Sequence, residues 1–202
     1  MSKTIILIGG TPTVGKSTTA QAVANHFNIP WISTDQIREI MRTIADRKQY
    51  PKLFTPKDYT TERFLTEFSA EEIAKMEYEQ GEAAWVGIKK LINDDYTWTD
   101  GFVIEGVNLL PHLIAKDFSD NPNIKAVFLG DSDTERMRRV IYTRGLWDDA
   151  KSYSDDVKEK EVEWALLFSK LLRNDATMHD YPWIEIQKNE SDLEKVLQAL
   201  NT

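Results

Sequence analysis

Short apolar runs alternate with longer amphipathic stretches along this chain. The runs are rich in Ile, Val, Phe or Trp and have the length of buried strands. They lie near residues 4–9, 29–33, 101–105, 123–129 and 183–187. The alternation predicts an α/β fold, in which helices cover both faces of a five-stranded parallel sheet. Right-handed crossovers then bring the carboxyl end of every strand to one edge of the sheet, where ligands bind.

Helices are predicted between these runs, and capping signals mark three of their starts. The pattern Ser-x-x-Glu, which is typical of a capping box, occurs at residues 69–72, 132–135 and 191–194. The predicted helices cover about residues 17–26, 34–46, 69–93, 132–143, 155–174 and 191–200. Together with the strands they indicate a single domain over residues 1–202.

The segment from about residue 47 to 68 interrupts this alternation. It contains Pro51 and Pro56 among lysines, tyrosines and threonines, and its periodicity is weak. A segment of that length is typical of a lid or a binding insertion, and a surface loop is the alternative. We interpret residues 47–93 as a helical substrate-binding insertion, and the arginine-rich residues 132–153 as a lid.

The composition narrows the classes of function. The chain has 202 residues and no cysteine, which suits one α/β domain and excludes disulfides and thiolate metal sites. Its formal net charge of −8 argues against nucleic acids and anionic membranes as partners. A pocket for a phosphorylated substrate must therefore gather its Arg and Lys locally. The chain shows neither a signal-peptide pattern nor a run of membrane-spanning length, so we expect a cytoplasmic protein, whose oligomeric state the sequence leaves open.

A phosphate-binding motif follows the first apolar run. Residues 10–17 read G-T-P-T-V-G-K-S, which fits the pattern G-x-x-x-x-G-K-[ST] in full. Its glycines let backbone N–H groups wrap around phosphate oxygens, and the N-terminus of the next helix adds partial positive charge. Lys16 would reach the β- and γ-phosphates, and the hydroxyl of Ser17 would bind magnesium. The sequence therefore predicts a site for ATP and Mg²⁺.

The third apolar run ends in an acidic residue beside this loop. Glu105 follows Phe102, Val103 and Ile104, which is the arrangement of a Walker B strand. We expect Glu105 to hold magnesium, through a water, or to orient the acceptor. The alternative is a strand-terminal carboxylate that faces solvent. Gly106 would leave room for a ligand.

A second group of polar residues follows the second apolar run. Asp35 lies on the ligand edge, where its carboxylate could accept a proton from an attacking hydroxyl; support of the helix N-terminus is the alternative. Arg38 and Arg42 lie three and seven residues later, on the same helix face. Guanidinium groups bind carboxylates and phosphates through paired hydrogen bonds, which suits an anionic acceptor. Pairing with Glu39 or Asp46 on a solvated face is the alternative for both arginines.

Residues 135–145 contain four arginines, at positions 136, 138, 139 and 144. We expect Arg144 and one of the other three to neutralise charge on the transferred phosphoryl group. The alternative is an amphipathic helix whose arginines complement neighbouring acids. Lys188 follows the last apolar run, where an adenine ring could lie. The predicted nucleotide-binding residues are Gly10, Thr11, Pro12, Thr13, Val14, Gly15, Lys16, Ser17, Thr18, Arg136 and Lys188.

Taken together, these motifs resemble the 2-phosphoglycerate kinase family. The matching stretches are residues 5–11, 14–18, 32–42, 80–92 and 103–111, of which 32–42 is the most specific. They cover the chain well to about residue 115, and the remaining third matches in layout. The resemblance implies a three-layer P-loop kinase fold and transfer of the ATP γ-phosphate to 2-phosphoglycerate, giving 2,3-bisphosphoglycerate and ADP. It also implies that Asp35 and Arg38 face the acceptor and that Glu105 stands near the metal.

Two departures from the family pattern bear on the site. Pro12 and Thr13 stand where Ser-Gly is expected, so the loop lacks one N–H donor. Asn108 stands where the family has His after E-G-V, which bears on the identity of the acceptor. We predict catalytic roles for Lys16, Asp35 and Arg144, metal binding by Ser17 and Glu105, and acceptor binding by Asp35, Arg38, Arg42, Gly106 and Asn108.

Other functions remain open on the sequence. A related small-molecule kinase could act on a nucleoside, a nucleotide, a sugar acid or, like the zeta-toxin kinases, an activated sugar. A nucleotide switch or a mechanical ATPase is the alternative from another class. The N-K-x-D motif of GTPases is absent from the sequence. Hydrolysis without an acceptor separates these classes, because a kinase hydrolyses slowly until its acceptor closes the site.

Overall fold

A five-stranded parallel sheet forms the centre of the structure, a computed structural model that describes residues 3–94, 96–97, 100–146, 152–189 and 191–201. The strands are β1 (Thr4–Gly10), β2 (Trp31–Ser33), β3 (Gly101–Glu105), β4 (Ile124–Gly130) and β5 (Trp183–Glu185). Their order across the sheet is β2-β3-β1-β4-β5, and every pairing is parallel. The predicted α/β fold is therefore confirmed, with strands that begin or end within two residues of the apolar runs.

Helices cover both faces of the sheet because β1 has apolar side chains on both sides. Ile5 and Leu7 pack into one core cluster, and Ile6 and Ile8 pack into a second. Two 3₁₀ turns, Pro51–Leu53 and Thr55–Asp58, precede the third helix. The helices are α1 (Lys16–Phe27), α2 (Thr34–Ile44), α3 (Thr61–Glu67), α4 (Ala70–Ile92), α5 (Pro111–Phe118), α6 (Thr134–Arg144), α7 (Asp155–Met178) and α8 (Ser191–Leu200).

Two of the three predicted capping boxes are wrong. The box at residues 69–72 forms, since Glu72 N donates to Ser69 Oγ at 3.2 Å and Ser69 N donates to Glu72 Oε2 at 2.9 Å. At α6, however, the cap is Asp133, whose carboxylate accepts from Arg136 N. At α8, Ser191 is already helical and its hydroxyl donates to the side chain of Asn189. In both places a nearby Asp or Asn side chain supplies an acceptor in competition with serine.

The segment between α2 and α4 is folded against the core. Leu53, Phe54, Phe64 and Leu65 are buried in the larger core cluster, so the surface-loop alternative is wrong. Arg42 ties the segment to α2, because its Nε donates to the carbonyl of Leu53 at 2.7 Å. Its role as a lid or a substrate-binding insertion stays a prediction.

The helices differ in length, and two of them are longer than 20 residues. α4 has 23 residues and α7 has 24. Among the described residues, no helix is both long enough and apolar enough to cross a membrane.

Candidate active site

The phosphate loop joins β1 to α1 through unusual backbone conformations. Gly10, Thr13 and Gly15 all have positive φ angles, of 148°, 66° and 98°. Thr11 N donates to Leu129 O at 3.1 Å, which anchors the loop to β4. Lys16 Nζ folds back over the loop and donates to the carbonyl of Thr11 at 2.6 Å. The motif therefore has the strand–loop–helix setting that phosphate binding requires.

Glu105 and Ser17 meet at the start of α1. Parallel pairing of Glu105 with Ile8 brings the end of β3 beside the loop, and Ser17 Oγ donates to Glu105 Oε1 at 3.0 Å. Burial raises the pKa of Glu105, while Lys16 and the Ser17 hydroxyl act in the opposite direction. The solvent-facing alternative for Glu105 is wrong, since the residue is buried. One hydroxyl and one carboxylate are a donor set that suits Mg²⁺, which takes its other ligands from water and phosphate oxygens.

Lys16 is partly buried and lies near the carboxylates of Glu105 and Asp35. Burial lowers the pKa of its ammonium group to about 8, and the carboxylates of Glu105 and Asp35 partly oppose that effect. A bound phosphate would raise the pKa of Lys16 again, because its negative charge favours the protonated form of the ammonium group.

A cavity of about 640 Å³ connects the phosphate loop with α2, α4 and α7. Five basic and four acidic side chains line it, along with apolar groups that include Trp164 and Phe168. The local excess of positive charge contrasts with the net charge of −8 for the chain. The charged lining residues are Lys16, Arg38, Arg42, Lys57, Arg144, Asp35, Glu39, Glu77 and Glu105.

Asp35 is available for chemistry because another residue caps α2. Ser33 Oγ accepts from Asp35 N at 3.1 Å, and Gln36 Oε1 accepts from Ser33 N at 3.1 Å. The carboxylate of Asp35 lies 3.1 Å from Arg38 Nη1, and its side chain is 60% exposed. Asp35 and Arg38 thus lie side by side in the cavity, across β3 from the phosphate loop.

The two arginines of α2 differ in their hydrogen-bond and ion-pair partners. Arg42 is held by the carbonyl of Leu53 and by Glu39, and its side chain is 8% exposed. Burial lowers the pKa of Arg42, and Arg38 contributes to that shift. The pairing with Glu39 that the sequence offered as an alternative is present, although the guanidinium is buried rather than solvated. Acceptor binding by Arg42 stays a prediction.

Gly106 and Asn108 relate to the cavity in ways that the sequence did not indicate. Gly106 lines the cavity, but a Cβ there would lie 1.8 Å from Thr34 Oγ1, so its lack of a side chain makes room for Thr34. Asn108 is buried, and its Oδ1 accepts from Arg38 Nη1 at 3.2 Å. It is not among the described residues that line the cavity. Direct acceptor contact by Asn108 therefore stays a prediction.

The arginine-rich helix borders a second cavity of about 410 Å³. Arg144 and Thr13 line both cavities. Arg136 is held by the Asp131 carboxylate and by the carbonyl of Ile186, at 2.7 and 2.8 Å. Arg138 pairs instead with Glu159 of α7. The lining residues are Thr13, Arg136, Arg139, Val140, Thr143, Arg144 and Lys188.

This arrangement bears on the predicted roles of the helix. Arg144 lines the cavity that contains the phosphate loop, Asp35 and Arg38, and its role in charge neutralisation stays a prediction. Arg136 and Lys188 lie together on the far side of the loop, and their contact with nucleotide stays a prediction. Residues 147–151 of the predicted lid lie outside the described residues.

The structure adds two residues that sequence reasoning missed. Glu77 and Gln80 of α4 are buried and line the cavity opposite Arg38. Burial raises the pKa of Glu77 to about 7; Asp35 adds to the shift, and Arg38 and Arg42 oppose it. Both residues interrupt the buried apolar stripe of α4, in which Ile73, Ala74, Ala84 and Ile88 recur at helical spacing. That interruption was the available signal, because polar residues in core positions need partners.

Comparisons with known proteins agree with this fold. A family model described as "AAA domain" matches residues 5–193. The 2-phosphoglycerate kinase of Methanopyrus kandleri is 28% identical over 199 residues, which are 98% of this chain and 61% of that protein. That of Methanocaldococcus jannaschii is 31% identical over 170 residues, covering 84% of this chain and 52% of that protein. The chain therefore spans between half and two thirds of the length of these relatives.

A solved structure supports the fold independently. Shikimate kinase from Bacteroides thetaiotaomicron aligns with 98% of this chain and 96% of its own, with a TM-score of 0.52 and 15% identity. At that identity the likeness concerns the fold alone.

Proposed function

Because the chain belongs to the family described as "AAA domain" and resembles 2-phosphoglycerate kinases in sequence, we propose that it is an ATP- and Mg²⁺-dependent kinase. It transfers the γ-phosphate to a hydroxyl of a small anionic metabolite. The acceptor that the relatives' names favour is 2-phosphoglycerate, which would give 2,3-bisphosphoglycerate.

One observation carries the proposal. A single cavity is lined at one end by the phosphate loop and at the other by Asp35 and Arg38. Asp35, the proposed proton acceptor, and Arg38, the proposed anion-binding group, thus share a space with the loop that we propose binds phosphate. A nucleotide switch has no need of such a second pocket, whereas phosphoryl transfer to a small molecule requires one.

The residues divide the work of the reaction. Lys16, Ser17 and Glu105 would hold the nucleotide phosphates and Mg²⁺, which supplies charge neutralisation on the phosphate oxygens when bound. Arg38 orients the anionic acceptor. Asp35 takes the proton of the acceptor hydroxyl. The hydroxyl oxygen forms a bond to the γ-phosphorus, and the bond between that phosphorus and the leaving ADP oxygen breaks. Arg144 stabilises charge on the transferred group.

Acceptor dependence of ADP release tests this function. Purified protein is incubated with ATP and Mg²⁺, with and without 2-phosphoglycerate, and ADP is followed by a coupled assay. We expect slow release alone and a large increase with the acceptor. Fast release that the acceptor leaves unchanged would instead favour a switch or an ATPase.

A further inference from the structure

The α4 wall of the cavity has a polar patch in an otherwise apolar face. Gln80 is 1% exposed and Glu77 is 6% exposed, and they lie three residues apart on the same side of the helix. Neither residue belongs to the phosphate loop or to the Asp35 helix. Burying a glutamine this deeply costs desolvation free energy unless both the oxygen and the nitrogen of its amide form hydrogen bonds.

The oxygen of the Gln80 amide accepts a hydrogen bond from Arg38. Arg38 Nη1 donates to Gln80 Oε1 at 2.8 Å, and since a guanidinium only donates, the atom that faces it must be the oxygen. The same nitrogen also faces Asn108 Oδ1 at 3.2 Å and Asp35 Oδ1 at 3.1 Å. Three oxygens therefore fix the orientation of Arg38 through one of its nitrogens.

The other end of that amide has no partner. Gln80 Nε2 is buried and makes no hydrogen bond within the described part of the chain. Arg38 Nε is also buried without a hydrogen bond in that part of the chain, because Glu39 Oε1 lies 3.9 Å away, beyond hydrogen-bond distance. Both residues line the cavity. Two hydrogen-bond donors, one of them on a cation, therefore lack an acceptor in residues that line the cavity.

We propose that Gln80 Nε2 and Arg38 Nε form a paired donor site for one oxyanion of the acceptor, its carboxylate or its phosphate. The inference rests on the proposed function and deepens it, by adding α4 to acceptor recognition. An anionic oxygen group matches two donors of which one is charged, and binding it removes the desolvation cost of both. Gln80 is then a direct substrate contact as well as a support for Arg38.

Two substitutions at position 80 separate the direct contact from the supporting role. Gln80→Glu keeps an oxygen for Arg38 Nη1 but removes the Nε2 donor. Gln80→Met removes both with little change in volume. We expect each variant to raise the KM for 2-phosphoglycerate at least about tenfold, with the KM for ATP within about twofold of wild type. Glu82→Gln, an exposed change on the same helix, is the matched control and should leave both constants unchanged.

Specific results would overturn the inference. An unchanged acceptor KM in Gln80→Met removes Gln80 from the site altogether. A wild-type KM in Gln80→Glu with a raised KM in Gln80→Met shows that Gln80 only holds Arg38. Glycerate and glycerol 2-phosphate, each lacking one anionic group, identify the oxyanion. Substitution of Gln80 should weaken inhibition by the analogue that keeps the bound group and should not affect the other.

Calorimetry keeps the test independent of turnover. 2-Phosphoglycerate, glycerate and inorganic phosphate are titrated into the wild type and Gln80→Met, with Mg²⁺ and a non-hydrolysable ATP analogue present. Binding that depends on Gln80 without turnover would preserve this inference and contradict the proposed function. Failure of all three probes to bind the wild type, or equal binding to both proteins, would contradict the inference.

Discussion

At the level of single residues, the proposed activity depends on which carboxylates and guanidiniums are available to a substrate. Ser33 caps α2, so Asp35 is not needed at the helix terminus, and Arg38 holds its carboxylate at the cavity. Arg42, in contrast, is committed to Leu53 and Glu39. Sequence spacing placed these three residues on one face, but it could not show that Arg42 is held by Leu53 and Glu39 while the side chain of Asp35 stays 60% exposed.

Asp35→Asn removes the proton acceptor without removing the side-chain volume. We expect kcat to fall by at least about 100-fold, because general-base catalysis contributes on that order or more. ATP affinity should stay near that of the wild type, as measured by fluorescence titration. Asp46→Asn, the same change at an exposed site, is the control. Turnover of Asp35→Asn equal to that of the control would remove the general-base assignment.

Arg38→Ala should raise the KM for the acceptor more than the KM for ATP. Loss of a charged, paired contact predicts an increase of about tenfold or more in the acceptor constant. Arg42→Ala is the comparison, and it should act mainly on stability because it breaks the contact with Leu53. Steady-state kinetics with each substrate varied in turn would measure both effects. The assignment of Arg38 fails if the two variants change the acceptor KM equally.

Glu77 makes the stability of the protein depend on pH. Its pKa is raised from 4.5 to about 7 in the folded state, so folding opposes its ionisation. The stability of the wild type is therefore unaffected by this group below pH 4.5 and falls relative to Glu77→Gln as pH rises to about 7. The difference should level off above that pH at up to about 3 kcal/mol.

Urea unfolding at a series of pH values between 4 and 8.5 would test the Glu77 prediction. Glu82→Gln, on the exposed face of α4, should show no such trend against the wild type. A difference between wild type and Glu77→Gln that is constant with pH would mean that Glu77 ionises normally in the fold.

At the level of secondary-structure elements, the sequence predicted those strands, helices and loops that are determined by residues close together in the chain. Long apolar runs gave β1, β3 and β4 closely, and the phosphate loop followed from its own eight residues. The short helices α3 and α5 carry too few turns for a periodic signal and were not predicted. Glu77 and Gln80 were missed because their partners lie on α2, about 40 residues away, and only tertiary packing brings them together.

The phosphate loop carries strain that the sequence alone can only suggest. Thr13 stands where the family pattern has glycine, and it adopts a φ of 66°, which is unfavourable for a β-branched residue. Thr13→Gly should therefore raise the free energy of unfolding by about 1 kcal/mol, after the greater flexibility of glycine in the unfolded chain is counted. Urea unfolding would measure it. Thr13→Ala keeps a Cβ and serves as the control, and a Thr13→Gly protein no more stable than Thr13→Ala would contradict the strain.

At the scale of the whole molecule, the distribution of charge separates the site from the rest of the surface. An acidic chain gathers five basic side chains against four acidic ones around one cavity, a local excess of basic groups that any pocket for a phosphorylated substrate would require. The strand order places the phosphate loop of β1 beside Glu105 of β3, with Asp35 one strand further on. The fold thus sets the groups that we propose bind nucleotide and those that we propose bind the acceptor at the ends of adjacent strands, as in-line transfer would need.

Phosphorus NMR of the reaction product tests directly whether the protein phosphorylates 2-phosphoglycerate. The protein is incubated with ATP, Mg²⁺ and 2-phosphoglycerate, beside a sample without the acceptor and a sample of Asp35→Asn. We predict that signals of 2,3-bisphosphoglycerate and ADP appear together in the first sample, and that neither control forms bisphosphoglycerate at a comparable rate. ADP and inorganic phosphate without any phosphorylated acceptor in the first sample would contradict the account.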